Sequence, residues 1–215
     1  SLTSPLHRQQ IKPMVKQSRW LVLKLLVNKL SLIILGPQGS GKGTQAEFLS
    51  KKLKYPTYSA GQLYRDEVKN GTALGREAKR IMEQGLFMPS ETTNRLMRKY
   101  LTPLRCRRGV ILDGYPRAVA QVRANDKFCK PDVVFYIKLT DAEAVRRLSL
   151  RRVCTKCQTN FHLQFAPPAR DGHCSRCGGK LARRTDDSPA AIRKRLRHFH
   201  REVMPAIRLY AKRGI

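Results

Sequence analysis

The sequence contains the glycine-rich run Gly36-Pro37-Gln38-Gly39-Ser40-Gly41-Lys42-Gly43-Thr44. An apolar segment at 32–35 precedes this run and predicts a buried strand, and the residues after it predict the start of a helix. A glycine-rich loop in this position turns backbone N–H groups toward an anion, and the helix dipole adds to the attraction. Lys42 can then reach phosphates, while a hydroxyl such as that of Thr44 can hold Mg²⁺. We therefore expect a phosphate-binding loop whose ligands come from Gly39, Ser40, Gly41, Lys42, Gly43 and Thr44.

The rest of the chain alternates between strand and helix patterns. Apolar runs at 110–112 and 133–139 predict two further buried strands. Helical patterns occupy 74–83, 91–101, 141–152 and 188–212, the last with a break at Pro205. Such alternation indicates an α/β fold in which helices flank a parallel sheet. No stretch reaches about 20 uninterrupted apolar residues, so no transmembrane segment is expected.

The charge of the chain is unusual for its size. Its 215 residues contain 44 Lys and Arg against 15 Asp and Glu, a net charge of +29. A surplus of this size attracts polyanions. Residues 1–30 contain no acidic residue, and we interpret them as a basic N-terminal extension of the kind also found in organelle transit peptides. Contact with RNA or another polyanion is one interpretation of the charge, and a merely solvated surface is the other.

Four cysteines form two knuckles, Cys154-x-x-Cys157 and Cys174-x-x-Cys177, with sixteen residues between them. Thiolates at this spacing bind one Zn²⁺ tetrahedrally, and the ion folds a small module. Two disulfides are the alternative. We expect His162 to be a packing residue, because four thiolates already saturate zinc. The two remaining cysteines, Cys106 and Cys129, are expected to be ordinary core thiols.

With these motifs in this order, the sequence resembles the adenylate kinase family, in its long form with a zinc-bearing lid. The resemblance covers roughly residues 31–213. It is carried by the phosphate loop with a glycine after Lys42, by Arg184 ahead of two aspartates, by the zinc cysteines, and by the segments Ser59-Ala60-Gly61-Gln62-Leu63-Tyr64-Arg65 and Leu112-Asp113-Gly114-Tyr115-Pro116-Arg117. The resemblance implies the fold of the P-loop nucleoside monophosphate kinases for a domain at 31–215. Within it, an insert at 59–88 would bind the monophosphate, and residues 152–185 would form the zinc lid.

The resemblance also implies an activity, the reversible transfer of a phosphoryl group from ATP to AMP with Mg²⁺. It assigns Arg65 and Arg117 to the AMP phosphate and Gln121 to the adenine edge. The strand-end Asp113 suits a contact to the water shell of Mg²⁺. The catalytic set is Lys42, Arg117, Arg151, Arg184 and Arg195. The nucleotide-binding set adds to the phosphate loop the residues Arg65, Asp113, Gly114, Arg117, Gln121 and Arg147.

The sequence departs from the family pattern in three places. The family usually has Thr where Ala60 stands and Asp where Gln62 stands, and it continues past Ile215 into a final strand and helix. The sheet is therefore expected to lack a strand, unless the chain is a trimmed product. These departures and the charge motivate an alternative function: an adenylate-kinase-like structural subunit of a ribonucleoprotein, such as an organellar ribosome, that binds RNA with reduced or no catalysis. Either protein would work inside the cell, in the cytoplasm or in an organelle matrix such as that of the mitochondrion.

Overall fold

A computed structural model describes residues 30–170, 172–184 and 187–215. The basic extension expected at 1–30 lies outside the described residues, apart from Leu30. The strands are β1 (Ser31–Leu35), β2 (Thr57–Ser59), β3 (Val110–Asp113), β4 (Val133–Tyr136), β5 (Arg151–Cys154), β6 (Asn160–His162) and β7 (Leu181–Ala182). The helices are α1 (Lys42–Leu53), α2 (Ala60–Lys69), α3 (Ala73–Glu83), α4 (Ser90–Tyr100), α5 (Pro103–Arg107), α6 (Val119–Asp126), α7 (Asp141–Ser149), α8 (Pro189–His198) and α9 (Met204–Lys212), with a π-helical turn at Phe199–Val203.

The central sheet is parallel, with the strand order β2-β3-β1-β4. Its register places Ile34 of β1 beside Asp113 of β3 on one side and Phe135 of β4 on the other. Because parallel strands end at the same edge, β1 delivers the phosphate loop next to the residue that ends β3. The predicted α/β fold is confirmed. Among the described residues no strand pairs with the outer edge of β4, where Phe135 is 44% exposed.

Both faces of the sheet are covered by helices, as the burial of every residue of β1 requires. Ile33 and Leu35 point into one apolar cluster, and Leu32 and Ile34 point into the other. The first cluster includes Met97 of α4, Val122 of α6 and Ile207 of α9, and the second includes Ala46 of α1 and Tyr55. Burial of each large apolar side chain contributes about 1.5–3 kcal/mol to folding. The sheet and these layers therefore form the rigid base on which the loops at the strand ends are held.

Two predicted helices end differently from expectation. The pattern at 141–152 predicts one helix, but α7 ends at Ser149 and β5 begins at Arg151. The reason is long-range pairing: β5 lies between β6 and β7 in a separate antiparallel sheet, with Arg151 opposite His162. The break expected at Pro205 takes the form of a π-helical turn, after which the N–H of Met204 bonds to the carbonyl oxygen of Phe199 and α9 continues with Pro205 in its first turn.

The prediction that Cys106 and Cys129 are ordinary core thiols is wrong, because the two form a disulfide. Both residues are buried, and their Cα atoms lie 5.6 Å apart, within the range that a disulfide requires. Cys106 belongs to the short helix α5, and Cys129 follows α6. Sequence separation alone gave no sign that the turns before β3 and before β4 approach each other.

Helices α2 and α3 form a closely packed pair that follows β2. A Cβ atom added at Gly75 would lie 2.1 Å from the carbonyl oxygen of Glu67, so only glycine permits this approach. Thr72 caps α3 by accepting the N–H of Gly75 at 2.9 Å and donates its hydroxyl to the Glu67 carboxylate at 2.6 Å. In the part of the chain that the structure describes, no helix is both long and apolar enough to cross a membrane.

Replacing Gly75 with alanine should destabilise the protein by about 1–3 kcal/mol, because the added methyl group forces the backbones of α2 and α3 apart. Chemical denaturation with the far-ultraviolet circular dichroism signal measures this free energy. Glu77→Ala, on the exposed face of α3, is the matched control and should change it by less than about 0.5 kcal/mol. Equal stability of the Gly75→Ala protein and the parent would contradict the packing described.

Candidate active site

A cavity of about 680 Å³ opens at the edge of the sheet where β1 and β3 end. Its walls come from the phosphate loop, the α2–α3 insert, the segment after β3, and the small sheet with its neighbouring loops. The predicted site residues that line it are Gly39, Gly41, Lys42, Gly43, Thr44, Arg65, Asp113, Gly114, Arg117, Gln121, Arg147, Arg151, Arg184 and Arg195. Ser40, the remaining residue predicted to bind phosphate, does not line the cavity.

The phosphate loop ends where α1 begins. Gly41 is the N-cap of α1 and offers no side chain to the first N–H groups of the helix. These groups therefore remain for a ligand, and the helix dipole makes an anion the favoured one. Ser40 is only 6% exposed, and its hydroxyl oxygen has no hydrogen-bond partner among the described residues. Both observations fit a loop that closes around phosphate oxygens.

Lys42 lies among like charges in the cavity. Its Nζ donates a hydrogen bond to the carbonyl oxygen of Pro37 at 3.3 Å. Burial lowers the pKa of Lys42 to about 8, and the Asp113 carboxylate opposes that shift. The neighbouring guanidinium groups lower the pKa of Lys42 further; they belong to Arg117, Arg151 and Arg195. Such a cluster of cations is costly in the absence of an anion and is suited to a polyphosphate.

Arg117 is held rigidly at the end of β3. Its Nε donates to the carbonyl oxygen of Gly114 at 2.5 Å, and its guanidinium lies over the ring of Phe87, 4.9 Å from the ring centre. A Cβ atom at Gly114 would lie 2.8 Å from Nη2 of Arg117, and the φ of 62° also favours glycine there. Burial lowers the pKa of Arg117. Gln121 accepts the backbone N–H of Arg117 at 2.7 Å, so in this structure its amide oxygen is bound to protein.

Asp187, which is 4% exposed, joins two arginines, one from β5 and one from α8. Arg151 donates to both of its carboxylate oxygens, at 2.7 and 2.5 Å, and Arg195 donates to Oδ1 at 2.9 Å. Sequence analysis mentioned Asp187 only as part of a motif and missed this role. The sequence signal that could have indicated this role is the pair of acidic residues that interrupts a strongly basic stretch. Arg147 is instead bound by Glu143, at 2.7 Å, and Arg184 lines the cavity.

The insert brings a second arginine toward Arg117. Nε and Nη2 of Arg65 donate to Oε1 of Gln62 at 3.2 and 2.8 Å. The Cβ position of Gly61 lies 3.4 Å from Nη1 of Arg65 and 3.9 Å from Nη2 of Arg117. The two guanidinium groups therefore converge on one spot, as binding of a phosphate group requires. Sequence analysis treated Gln62 only as a departure and missed its contact with Arg65.

Asp113 stands between the phosphate loop and Arg117. Its Oδ2 lies 3.5 Å from the Cβ position of Gly43, and its buried Oδ1 has no hydrogen-bond partner among the described residues. A carboxylate oxygen without a hydrogen-bond partner beside a phosphate loop is suited to accept hydrogen bonds from the water molecules of a magnesium ion that binds with a nucleotide. The hydroxyl-bearing Thr44 lines the same wall of the cavity.

The four knuckle cysteines meet beside the small sheet β6-β5-β7. Their sulfur atoms all lie within 4.8 Å of one another, with Cys154 to Cys177 at 3.5 Å and Cys157 to Cys174 at 3.6 Å. A tetrahedron with Zn–S bonds of about 2.3 Å has sulfur atoms about 3.8 Å apart, so the cluster fits zinc. All four cysteines are free thiols, and the two-disulfide alternative is therefore wrong.

His162 is a packing residue, as expected. Its ring stacks on Phe165 with centres 4.6 Å apart, and its Nδ1 accepts the N–H groups of Gln164 and Phe165.

A parallel sheet, a phosphate loop, and an arginine-lined cavity between the α2–α3 pair and a small cysteine-bearing sheet together define a nucleoside monophosphate kinase of the P-loop class. Comparison with known proteins narrows this class. The family model described as adenylate kinase matches residues 34–215. The chain is similar to the adenylate kinase of Caldicellulosiruptor bescii, with 40% identity over 86% of this chain and 89% of that protein.

Other relatives agree. The chain is 40% identical to an adenylate kinase of Clostridium botulinum strain Loch Maree, and 39% identical to that of Archaeoglobus fulgidus; each match covers 86% of this chain and 88% of the relative. The chain therefore belongs to the adenylate kinase family. Members of this family are phosphotransferases, and the resemblance drawn from the sequence motifs is confirmed.

The lowered pKa of Lys42 predicts that ATP binding takes up a proton at pH 9. Above about pH 8 the free lysine is largely neutral, whereas bound phosphates favour its charged form. At pH 7 the lysine is already charged and contributes no uptake. Calorimetry in buffers of different ionisation enthalpy measures the protons exchanged. Lys42→Arg, whose guanidinium stays protonated, should abolish the uptake at pH 9, and equal uptake by parent and variant would contradict the assignment.

Proposed function

We propose that this protein catalyses the reversible transfer of the γ-phosphoryl group of ATP to AMP, with Mg²⁺. The observation that carries the proposal is the convergence of two phosphate-binding groups in one cavity: the phosphate loop with Lys42, and the arginine pair Arg65 and Arg117. Transfer between two bound nucleotides requires positioning more than covalent chemistry, so two anion sites that share one cavity are the central requirement.

The residues then take the following roles. Lys42 and the loop N–H groups bind the donor phosphates, while Arg65 and Arg117 hold the acceptor phosphate in line with them. Arg151 and Arg195, fixed by Asp187, neutralise charge that develops on the transferred group, together with Arg147 and Arg184. Magnesium, when bound, supplies further neutralisation of the phosphate oxygens. Thr44 and Asp113 are the residues that would hold the ion and its water shell.

AMP is the proposed acceptor because the family and the motif that ends in Arg117 and Gln121 favour it. Ala60 lacks the hydroxyl that the family usually has at this position, so the acceptor base is held there by fewer polar groups. The activity assay should therefore also compare the four acceptors AMP, GMP, CMP and UMP, present together at equal concentration.

Formation of ADP from ATP and AMP, followed with a coupled assay, tests the proposal. Lys42→Ala should lower kcat by about 10² or more, because it removes the cation that contacts the transferring phosphates. Lys52→Ala, on the exposed side of α1, is the matched control and should retain the parent rate. A parent rate indistinguishable from that of Lys42→Ala would refute the enzymatic function.

We further propose that Cys154, Cys157, Cys174 and Cys177 bind one structural Zn²⁺. Four thiolates around a divalent ion carry a net charge of −2, and the neighbouring cations Lys156 and Arg176 offset it. With the ion bound, the small sheet β6-β5-β7 is tied into one unit that carries Arg151 to the cavity.

Metal analysis of the purified protein should find one zinc per chain. Cys174→Ser should lose most of the zinc and unfold at lower temperature, because structural zinc contributes directly to folding. Lys180→Ala, at an exposed position outside both cysteine pairs, is the control and should keep both the zinc and the unfolding temperature. A metal-free parent whose unfolding temperature is unchanged by Cys174→Ser would overturn the zinc assignment.

The alternative role in a ribonucleoprotein finds no support in the relatives, which carry the name of an enzyme. Contact with RNA stays a prediction from the net charge of +29. The division into a nucleotide-binding insert at 59–88 and a lid at 152–185 also stays a prediction, as does an organelle address encoded by residues 1–30.

A further inference from the structure

The segment that leads from α3 to α4 lies against one face of α8. A Cβ atom added at Gly85 would lie 2.7 Å from the carbonyl oxygen of Ala191, so the two backbones touch there. Two residues further along this segment, the ring of Phe87 packs against the imidazole of His198, with ring centres 5.6 Å apart and planes inclined by 46°. Because positions 191 and 198 are separated by about two helical turns, both contacts are made by the same face of α8.

Phe87 connects this contact to the cavity. Its side chain lines the cavity, whereas His198 is not among the lining residues. The guanidinium of Arg117 lies over the Phe87 ring, 4.9 Å from the ring centre. One aromatic side chain therefore links His198, which lies outside the site, to an arginine within it.

The ring of Phe87 sets the orientation of the Arg117 guanidinium. Nε of Arg117 donates to the carbonyl oxygen of Gly114, and no protein acceptor in the described part of the chain binds the two terminal nitrogens. A single hydrogen bond leaves the tilt of the guanidinium open, and the flat ring against which it lies sets that tilt. The terminal N–H groups then face a ligand in one orientation, as paired hydrogen bonds to a phosphate require.

The imidazole of His198 is held in its neutral form. Nη2 of Arg201 lies 3.1 Å from Nδ1 of His198. A guanidinium can only donate, so this nitrogen accepts and carries no proton. Burial lowers the pKa of His198, and the charge of Arg201 lowers it further. His198 therefore meets Phe87 as an uncharged ring, and the pair is an aromatic contact that adds no cation near Arg117.

We propose that His198 is a positioning residue: its neutral ring supports Phe87, which in turn sets the plane of the Arg117 guanidinium at the acceptor phosphate. The proposal rests on the proposed function, because it takes Arg117 as part of the acceptor site. It gives His198 a role in acceptor binding and none in binding the donor nucleotide.

Two variants test whether the ring of His198 supplies this support. His198→Ala removes the ring, so that Phe87 can tilt and Arg117 loses its fixed plane. KM and Kd for AMP should rise about three- to fivefold, with kcat within about twofold and KM for ATP at the parent level. His198→Phe restores an uncharged ring at the same position, and it should return both AMP constants to within about twofold of the parent values.

A double-mutant cycle tests the route through Phe87. Phe87→Ala alone should weaken AMP binding, because Arg117 then loses the ring directly. Adding His198→Ala to this variant should cause no further loss of AMP affinity, because both changes remove the same support. Losses that add in the double variant would show that His198 acts by another route and would overturn the proposal.

Arg193→Ala, on the exposed side of α8, is the matched control and should leave the constants for both nucleotides at the parent level. Thermal unfolding of all variants checks that α8 and the segment packed against it remain folded. A merely structural role of His198 would lower the unfolding temperature without the selective change in AMP binding, and this result would overturn the proposal.

Calorimetric titration with AMP is scored separately from turnover. Parent affinity for AMP in His198→Ala would overturn the positioning role, and a His198→Phe protein that binds AMP as weakly as His198→Ala would overturn the role of the ring. A parent that binds AMP but transfers no phosphoryl group would remove the proposed function, while the Kd values of the variants would still decide the role of His198. A parent that does not bind AMP would overturn both.

Discussion

Repulsion among cations is the constraint to which the rest of this structure responds. Burial lowers the pKa of Lys42, and the nearby charges of Arg117, Arg151 and Arg195 lower it further. Such a group of cations would spread apart unless it were fixed. Asp187 holds Arg151 and Arg195 together, and the charge of Asp113 at the end of β3 favours the protonated form of Lys42. The parallel register of β1 and β3 places Asp113 beside the phosphate loop. The central sheet thus supplies the counter-charge of Asp113, and the segment before α8 supplies that of Asp187.

The features predictable from the sequence are those encoded by local patterns. The phosphate loop, β1, β3 and the two cysteine knuckles each follow from residue types at fixed spacing. The apolar run at 133–139 instead predicts a longer, buried strand, whereas β4 ends at Tyr136 at the edge of the sheet, where Phe135 is 44% exposed. Arg151 shows where prediction from local sequence patterns fails. Its neighbours have a helical pattern, yet it lies in β5 because β6, several residues later, pairs with it.

The features that could not be predicted depend on contacts between distant segments. The bond between Cys106 and Cys129 joins two segments that are separated in the sequence by β3 and α6 and lie together in the folded protein. In the sequence, Gln62 shows only that the family's usual carboxylate is absent. Its contact with Arg65 is evident only from the geometry of α2. Asp187 likewise gains its importance from the two arginines that fold onto it. In each case the residue type was visible, but its partner was not.

The disulfide has a topological consequence for the segment it encloses. Residues 106–129 form a covalent ring, and this ring contains β3 together with Asp113, Gly114, Arg117 and Gln121. A single break in the backbone anywhere inside the ring leaves the chain as one molecule, with both pieces still tethered at the base of the sheet. Strand β3 and the cavity residues that follow it are therefore connected to the rest of the protein twice, through the backbone and through the disulfide.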